Sequence, residues 1–267
     1  MNLVIRSFRL QKAGNAFEEC EDRLYPKFLN DRPVVYKLSD QSLSAFGIAD
    51  GATEGMLSGE WAEILVKAFC RSKNSHLDIS FLIEKASRDW DFWIKNYLAE
   101  RQRHNKPIKW YEEPGLKAGS FSTLLGLVFS DSQGSEVGEW HALAIGDTCF
   151  FHIRNGKLIQ SFPIENSSCF GNRPSLISSN PARNKDLSES SKMLAGDWLT
   201  HDSFYLMTDA LACWFLQETE AGNSPWLSYP FINNSEGITF EFWVERLRSS
   251  KKMKNDDVTL VHVELAK

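Results

Sequence analysis

The sequence predicts an α+β fold with a largely antiparallel sheet. Its strand patterns occur in groups instead of alternating one by one with helices, which argues against βαβ units. Two long amphipathic helices lie between the groups of strands, and an Asn155-Gly156 dipeptide flanked by β-formers is the strongest hairpin signal in the chain. The 267 residues include 18 Phe and 9 Trp, which favours a well-filled interior over disorder.

Three strands are predicted before the first helix. The segment 3–10 (LVIRSFRL) has strand-like composition, and the segments 34–38 and 42–49 follow it, separated from each other by the turn residues 39–41. A polar stretch at 12–24, which is rich in acidic residues, lies between the first strand and the second.

Two amphipathic helices are predicted next, at 58–72 and 80–103. In the first, Trp61, Leu65 and Phe69 share one face because they are spaced four residues apart. The second repeats this pattern with large aromatic residues, and we interpret those rings as helix core and not as a ligand-binding box.

After residue 119 the apolar pattern becomes that of strands. Strands are predicted at 119–130 and 139–147, and the segment 148–162 forms the Asn-Gly hairpin. The segment 162–192 is rich in Ser, Asn and Pro, which indicates a long surface loop.

The C-terminal part is predicted to run strand, helix, helix, strand. The first strand covers 202–210, and a helix begins directly after it at 211. A loop is expected at 217–235, then a helix at 238–250 and a closing strand at 258–265.

Composition excludes several classes of function. The formal net charge of −5 predicts no general attraction to nucleic acid or to an anionic membrane. The five cysteines are odd in number and have no CxxC spacing, so we expect free thiols in a reducing compartment. No leader-like segment and no run of about 20 apolar residues is present, and a cytoplasmic location is the expectation.

Acidic residues follow or precede five of the predicted strands. They lie at 20–22 (CED), at Asp50, Asp147 and Asp209, and at 255–257 (NDD). Any one of them is readily explained as a cap or a turn residue. Five together make a carboxylate cluster at one sheet edge plausible, and carboxylates are the ligands that Mg²⁺ and Mn²⁺ prefer.

The order of these motifs resembles that of the type-2C, metal-dependent protein serine/threonine phosphatases. The family pattern is Glu-Asp, Asp-Gly, Gly-Ser-Thr, Gly-Asp-Ser, Thr-Asp-Gly and Asp-Asn before the last strand. The corresponding segments here are GNAFEECED (14–22), ADGATEG (49–55), AGSFSTLLG (118–126), AIGDTCFFHIRNGKL (144–158), FYLMTDAL (204–211) and NDDVTLVHV (255–263). The resemblance covers nearly the whole chain.

The resemblance implies a four-layer α-β-β-α sandwich, in which two mostly antiparallel sheets are flanked by pairs of helices. It also implies that residues 1–267 form a single phosphatase-like domain. The length alone fits one large domain or two small ones.

The resemblance further implies a centre of two Mn²⁺ or Mg²⁺ ions, with a third, weaker ion in some members. The implied ligands are Asp209 and Asp256 for the first ion, Glu21 and the Gly51 carbonyl for the second, Asp50 for both, and Asp147 for the third. Asp50, Asp209 and Asp256 would thereby be the catalytic set. The implied reaction is the attack of a metal-activated water on phosphoserine or phosphothreonine, without a covalent phosphoenzyme.

Several positions depart from the family pattern. The arginine that usually grips the substrate phosphate is replaced by Phe17, and Lys12 nearby is a candidate substitute. A histidine found after Asp-Gly in many members is Ala52, and an acid four residues after Asp209 is Cys213. Asp257 replaces the usual Asn and is a candidate for a lost ligand.

Three hypotheses therefore remain open. The leading one is a metal-dependent phosphatase acting on phosphorylated proteins, with a cognate Ser/Thr kinase as a further partner. The second is a catalytically weak or silent phosphatase-like module with a binding or regulatory role. The third is a metal-dependent hydrolase of a small phosphoester.

Overall fold

The computed structural model describes residues 2–27, 30–37, 44–53, 55–72, 78–131, 137–171, 173–227, 229 and 238–266. It confirms the α+β class. The thirteen strands of the described residues are β1 (Asn2–Leu10), β2 (Arg23–Tyr25), β3 (Asn30–Lys37), β4 (Ser44–Ala49), β5 (Phe121–Ser122), β6 (Leu124–Asp131), β7 (Val137–Ile145), β8 (Cys149–Arg154), β9 (Lys157–Phe162), β10 (Ile177–Ser178), β11 (Lys192–Leu199), β12 (Ser203–Met207) and β13 (Val258–Ala266).

Six α-helices lie among the described residues. They are α1 (Ser58–Cys70), α2 (Ile79–Arg103), α3 (Glu113–Ala118), α4 (Leu187–Ser190), α5 (Asp209–Glu220) and α6 (Phe240–Ser249). None of these helices is both long and apolar enough to span a lipid bilayer. All five cysteines are free thiols, as the sequence predicts.

Two large antiparallel sheets form the centre of the fold. The six-stranded sheet has the order β3-β1-β13-β12-β8-β9, and the five-stranded sheet has the order β11-β7-β6-β4-β2. A small third sheet pairs β10 with β5. Because β1 pairs with β13 over nine residues, the two ends of the chain belong to one sheet.

Three hydrophobic cores lie between successive layers. The first contains buried residues from both large sheets, including Phe129, Phe150 and Phe204. The second joins the six-stranded sheet to α5 and α6, and the third joins the five-stranded sheet to α1 and α2. The two large sheets thus share one core, and each of them also shares a core with a pair of helices.

Local sequence signals predicted many of the elements correctly. The Asn155-Gly156 turn has positive φ at both residues, 51° and 71°, as a two-residue hairpin of the primed type requires. Trp61, Leu65 and Phe69 all lie in the core under α1. The predicted turn at 39–41 lies outside the described residues, as do residues 132–136 between the strands predicted at 119–130 and 139–147, and part of the predicted loop at 217–235.

Several predicted boundaries were wrong. The strand at 119–130 is two strands, β5 and β6, interrupted at Thr123. The polar stretch at 12–24 leads into the short strand β2, and the loop predicted at 162–192 contains β10 and α4. The strand β11 was not predicted, because it is an edge strand with one exposed face and little apolar alternation.

Asp209 was predicted to lie in a strand, with the helix beginning at 211. In the structure β12 ends at Met207 and α5 begins at Asp209 itself. Thr208 keeps an extended conformation at the N-cap, and an acidic residue in the first turn of a helix interacts favourably with the helix dipole. The Asp209 carboxylate therefore lies in the first turn of α5 and not on a strand.

Candidate metal centre

Asp50 follows the last residue of β4, and its backbone is fixed by residues of two other motifs. Its amide N–H donates to Thr123 Oγ1 at 2.9 Å, and its carbonyl accepts from the Thr123 amide at 2.9 Å and from Ser122 Oγ at 2.8 Å. The hydroxyls of Thr123 and Thr148 are 2.7 Å apart. The Gly-Ser-Thr and Gly-Asp-Thr motifs therefore hold Asp50 in position.

Gly51 lies where the chain passes close to the start of α1. A Cβ atom on Gly51 would lie 2.8 Å from the carbonyl carbon of Ser58, which is a steric clash with backbone. Only glycine fits this approach without moving the helix. The Asp-Gly pair is thus required by packing, whatever further role its carbonyl has.

Asp147 follows β7 through a glycine turn. Gly146 has φ +99°, and a Cβ there would lie 2.6 Å from Thr123 Cγ2, so both conformation and space require glycine. The Asp147 side chain is buried, with 6% of its surface exposed. The turn therefore places a carboxyl group inside the protein beside the residue that holds Asp50.

Asp209 and Asp256 share a lysine. Lys254 Nζ lies 2.6 Å from Asp256 Oδ2 and 3.7 Å from Asp209 Oδ2. Asp209 Oδ1 also accepts the Ala210 amide at 2.6 Å, and Asp256 Oδ1 accepts the Asp257 amide at 3.1 Å. The ammonium group of Lys254 is therefore the cation that faces these two carboxylates.

The structure brings five of the six expected ligand residues to one pocket of about 700 Å³. We call this the carboxylate pocket. The expected residues that line it are Asp50, Gly51, Asp147, Asp209 and Asp256. Its other lining residues are Ala52, Thr53, Thr123, Gly171, Arg173, Pro174, Leu176 and Lys254.

Burial and mutual repulsion make these carboxyl groups hard to ionise. Burial raises the pKa of Asp50 well above its ordinary value, and the charges of neighbouring acids, including Asp22 and Asp209, raise it further. Burial, with the charge of Asp209, raises the pKa of Asp147 to about 7. Burial and the charge of Asp256 raise the pKa of Asp209 as well. The pocket therefore has an excess of negative charge that a bound cation would relieve.

Glu21 is the expected ligand that does not line this pocket. Its side chain is hydrogen-bonded to Thr53, which does line the pocket, and burial raises its pKa. Its backbone amide donates to Asp257 Oδ2 at 2.7 Å. Glu21 thus interacts with a residue of the pocket lining without being part of that lining.

Asp22 is a buried acid that sequence reasoning did not select. Its Oδ2 accepts the hydroxyls of Thr208 and Thr259 at 2.9 and 2.7 Å, which connects it to the ends of β12 and β13. Its Oδ1 is buried and has no hydrogen-bond partner among the described residues. The adjacent pair Glu21-Asp22 offers no sequence signal to show which member is buried.

Asp257 is an anchor for the backbone. Both of its carboxylate oxygens accept amides from the loop after β1, from Lys12 at 2.8 Å and from Glu21 at 2.7 Å. These two hydrogen bonds give Asp257 a structural role that does not involve a metal ion. They also tie the Glu21 loop to the segment that precedes β13.

The positions that depart from the family pattern have different surroundings. Phe17 is half exposed, and the guanidinium of Arg9 lies over its ring at 4.6 Å. Ala52 lines the carboxylate pocket, while Cys213 lines a neighbouring pocket. Arg173 comes from the segment predicted as a long loop, and it lines the carboxylate pocket with an exposed side chain.

The donor types of the pocket suit a hard divalent cation, because they are carboxylate oxygens. Asp22, whose charge raises the pKa of Asp50, also has a buried oxygen without a partner among the described residues. Across the described part of the chain, however, no group of three or more His, Cys, Asp or Glu side chains is arranged so that it could hold a metal ion. Two of the expected ligands are engaged by Lys254 instead. Metal binding would require the carboxylates of the pocket to move closer to one another.

Comparison with solved structures shows what the fold is similar to. The Mycobacterium tuberculosis serine/threonine phosphatase PstP/Ppp has a TM-score of 0.58 and 14% identity, with all of both chains covered. The catalytic domain of PstP in complex with two manganese ions has a TM-score of 0.54 and 14% identity, over 99% of this chain and 100% of that one. RsbX in complex with magnesium has a TM-score of 0.50 and 17% identity, over 99% and 96%.

No family sequence model matches the chain, and no curated protein matches it in sequence. The fold of type-2C serine/threonine phosphatases is nevertheless the fold of this chain, as the resemblance predicted. The low identities mean that this likeness establishes the fold alone.

Proposed function

We propose that this chain is a metal-dependent phosphatase that hydrolyses phosphoserine or phosphothreonine in proteins. The observation that carries the proposal is the meeting of four carboxylates from distant segments, Asp50, Asp147, Asp209 and Asp256, at one pocket of a phosphatase fold. Residues 1–267 would form a single domain, which is supported by the pairing of β1 with β13.

The expected ligands keep their roles in this proposal. Asp209 and Asp256 would hold one Mn²⁺ or Mg²⁺ ion, Glu21 and the Gly51 carbonyl a second, and Asp50 both, with Asp147 available to a third. When bound, such ions supply an activated water and neutralise the phosphoryl oxygens. Glu21, which does not line the pocket, would have to move toward the other ligands to take part.

The chain's own residues orient this centre and the substrate. Thr123 and Ser122 hold the Asp50 backbone, and the Thr208 and Thr259 hydroxyls hold Asp22. Arg173 would bind the substrate phosphate in place of the arginine lost at position 17, since its side chain is exposed, lines the pocket and has no ion-pair partner among the described residues. A guanidinium can grip a phosphate with two parallel hydrogen bonds.

A phosphorylated protein would be the substrate, and a Ser/Thr kinase that produces it would be the natural counterpart. We place the protein in the cytoplasm within this proposal. The net charge of −5 favours neither nucleic acid nor a membrane surface as a partner.

The test is phosphate release from p-nitrophenyl phosphate and from a phosphoserine peptide, with Mn²⁺ and then with chelator. We expect turnover with Mn²⁺ and none after chelation. Asp50→Asn should lower the turnover by at least about 100-fold, since loss of even a supporting partner of a metal ligand costs about 10- to 100-fold. Asp91→Asn, an exposed acid on α2, is the matched control and should behave as the wild type. Absence of Mn²⁺-dependent release from both substrates would overturn the proposal.

One observation favours the second hypothesis, a silent binding or regulatory module. The single positive charge of Lys254 already offsets part of the negative charge of Asp209 and Asp256, so a lysine occupies the place that a metal ion would take. Titration calorimetry with Mn²⁺ separates the two functions. Binding of two ions supports the phosphatase, whereas no binding supports the module.

A further inference from the structure

A second pocket, of about 430 Å³, adjoins the carboxylate pocket. The two pockets share the lining residues Gly171, Asp209 and Lys254. The inner part of the second pocket is apolar, since its lining includes the buried residues Trp214 and Met253. A ligand bound in one pocket therefore lies directly beside the other pocket.

Positive charge dominates the wall of this second pocket. Its cationic lining residues are Arg248, Lys251, Lys252 and Lys254, whereas Asp209 is the single carboxylate of the lining among the residues that the structure describes. We call it the basic pocket. This local excess is notable in a chain whose net charge is −5.

The local structure explains why the lysines are presented to solvent. They lie in the segment KKMKN, just after α6 and its C-cap residue Ser250. Lys251 has φ +57°, a left-handed conformation that does not continue the helix. The Met253 side chain is buried, while Lys251, Lys252 and Lys254 are exposed. The methionine thus anchors the segment to the core, and its charged neighbours form the rim.

Only part of this charge is neutralised within the chain. Arg248 is buried and bonded to Glu245, and Lys252 Nζ lies 3.6 Å from a Glu218 carboxylate while 60% of its side chain is exposed. Lys251 has no ion-pair partner among the described residues. Lys254 faces Asp209 and Asp256, the two acids that would release it on binding a metal ion.

The chemistry of the rim selects an anionic ligand. Lysine ammonium groups act as point charges that attract carboxylates without a fixed geometry. A phosphoserine directed at the carboxylate pocket would bring the neighbouring residues of its chain into the basic pocket, because successive residues of an extended chain are about 3.3 Å apart. Acidic side chains beside the phosphorylated residue therefore complement the rim.

We propose that the basic pocket binds aspartate or glutamate side chains that flank the phosphorylated residue. The substrate class would be phosphoproteins with an acidic sequence beside the phosphosite. This inference rests on the proposed function of the carboxylate pocket, but the binding it describes is measurable without catalysis.

The first experiment measures binding in chelator by fluorescence anisotropy. The probes are a labelled peptide with three glutamates beside an unphosphorylated serine and its glutamine-matched twin. We expect the acidic peptide to bind about fivefold more tightly or better, and the difference to shrink as salt is raised, because exposed charges are screened. The double variant Lys251→Gln/Lys252→Gln should abolish the difference.

The matched control removes the same charge elsewhere. Lys157 and Lys185 are exposed and line neither pocket, so Lys157→Gln/Lys185→Gln should keep the preference. Equal binding of the two peptides by the wild type would overturn the inference. An equal loss of preference in both double variants would overturn it too, since net charge would then be the cause.

The second experiment compares kcat/KM for phosphorylated versions of both peptides with Mn²⁺. We expect the wild type to favour the acidic peptide and the Lys251→Gln/Lys252→Gln variant to lose that preference. Turnover of both peptides without preference contradicts the basic pocket but not the phosphatase. Preferential binding without any turnover supports the basic pocket and contradicts the phosphatase.

Discussion

The ammonium nitrogen of Lys254 lies 2.6 Å from a carboxylate oxygen of Asp256. The hydrogen bond with Asp256 raises the pKa of Lys254, so the amine stays charged at neutral pH. Lys254 therefore acts as an internal counter-ion of the carboxylate pocket. A divalent cation that uses Asp256 and Asp209 has to displace it.

Replacing Lys254 by methionine should strengthen Mn²⁺ binding. The variant keeps an unbranched side chain only one atom shorter but removes the competing charge, and an exposed ion pair of this kind is worth up to about 1 kcal/mol. We expect the dissociation constant for Mn²⁺ to fall by about two- to fivefold in titration calorimetry. Lys157→Met on the distant hairpin is the control. An unchanged or weaker affinity in Lys254→Met would show that the lysine does not compete with the metal.

Thr123→Val should weaken metal binding through Asp50. Valine has nearly the same shape but leaves the Asp50 amide without its acceptor. Loss of such a supporting partner typically lowers metal affinity about 10- to 100-fold, and a buried unsatisfied amide costs about 1–3 kcal/mol of stability. Calorimetry with Mn²⁺ and urea unfolding measure both effects.

Thr219→Val provides the comparison for this variant. Thr219 donates only to the Phe215 carbonyl within α5, so its loss should leave Mn²⁺ affinity unchanged. If Thr123→Val bound Mn²⁺ as tightly as the wild type, Asp50 would not depend on this hydrogen bond for its position.

The parts of the fold that sequence could predict depend on local interactions. The Asn155-Gly156 hairpin requires only two residues that tolerate positive φ, and α1 requires only apolar residues at helical spacing. The edge strand β11 gave no such signal, because it is stabilised by its pairing with β7 and not by its own alternation.

Sequence reasoning selected five residues that the structure brings to one pocket, but it did not predict the contacts that hold them. Asp50 stands out as an acid at a strand end, and the structure does bring it to the same pocket as Asp209. The burial of Asp22 and the anchoring role of Asp257 depend on partners 186 to 245 residues away. The position of Lys254 also depends on how separate segments pack, which the sequence does not encode locally.

Asp147→Asn should stabilise the metal-free protein in a pH-dependent way. The native carboxyl group has a pKa of about 7 against 3.8 ordinarily, so the native state binds more protons than the unfolded state between these values. Its contribution to stability therefore falls as pH rises through that window. Asparagine cannot ionise, so the variant's advantage should grow by at most about 1.4 kcal/mol per pH unit, which is at most about 2.7 kcal/mol from pH 5 to pH 7.

Urea unfolding in chelator at several pH values measures this advantage as a difference between variant and wild type. The difference cancels the titration of all other groups, provided that they are unaffected by the substitution. It should level off above pH 7, where the native carboxyl group is ionised. A difference that stays flat between pH 5 and pH 8 would contradict the raised pKa of Asp147.

His262→Phe should protect the protein against mild acid. His262 is buried in β13 and stacks on Tyr205 with ring centroids 4.5 Å apart, and neither ring nitrogen has a hydrogen-bond partner among the described residues. Burial, with the charge of Arg6, lowers its pKa to about 3 from 6.5. Below pH 6.5 the unfolded chain takes up a proton that the native protein excludes, so stability falls as pH decreases toward 3.

At pH 5 this linkage should cost the wild type about 2 kcal/mol relative to pH 8, since each pH step below 6.5 costs about 1.4 kcal/mol. Phenylalanine keeps a flat ring for Tyr205 and has no proton to exclude. Urea unfolding in chelator should therefore show the difference between variant and wild type growing by that amount from pH 8 to pH 5. Between pH 7.5 and pH 8.5 the difference should be constant, because the imidazole is then neutral in both states. A constant difference down to pH 5 would mean that water or a charged partner reaches His262 in the native protein.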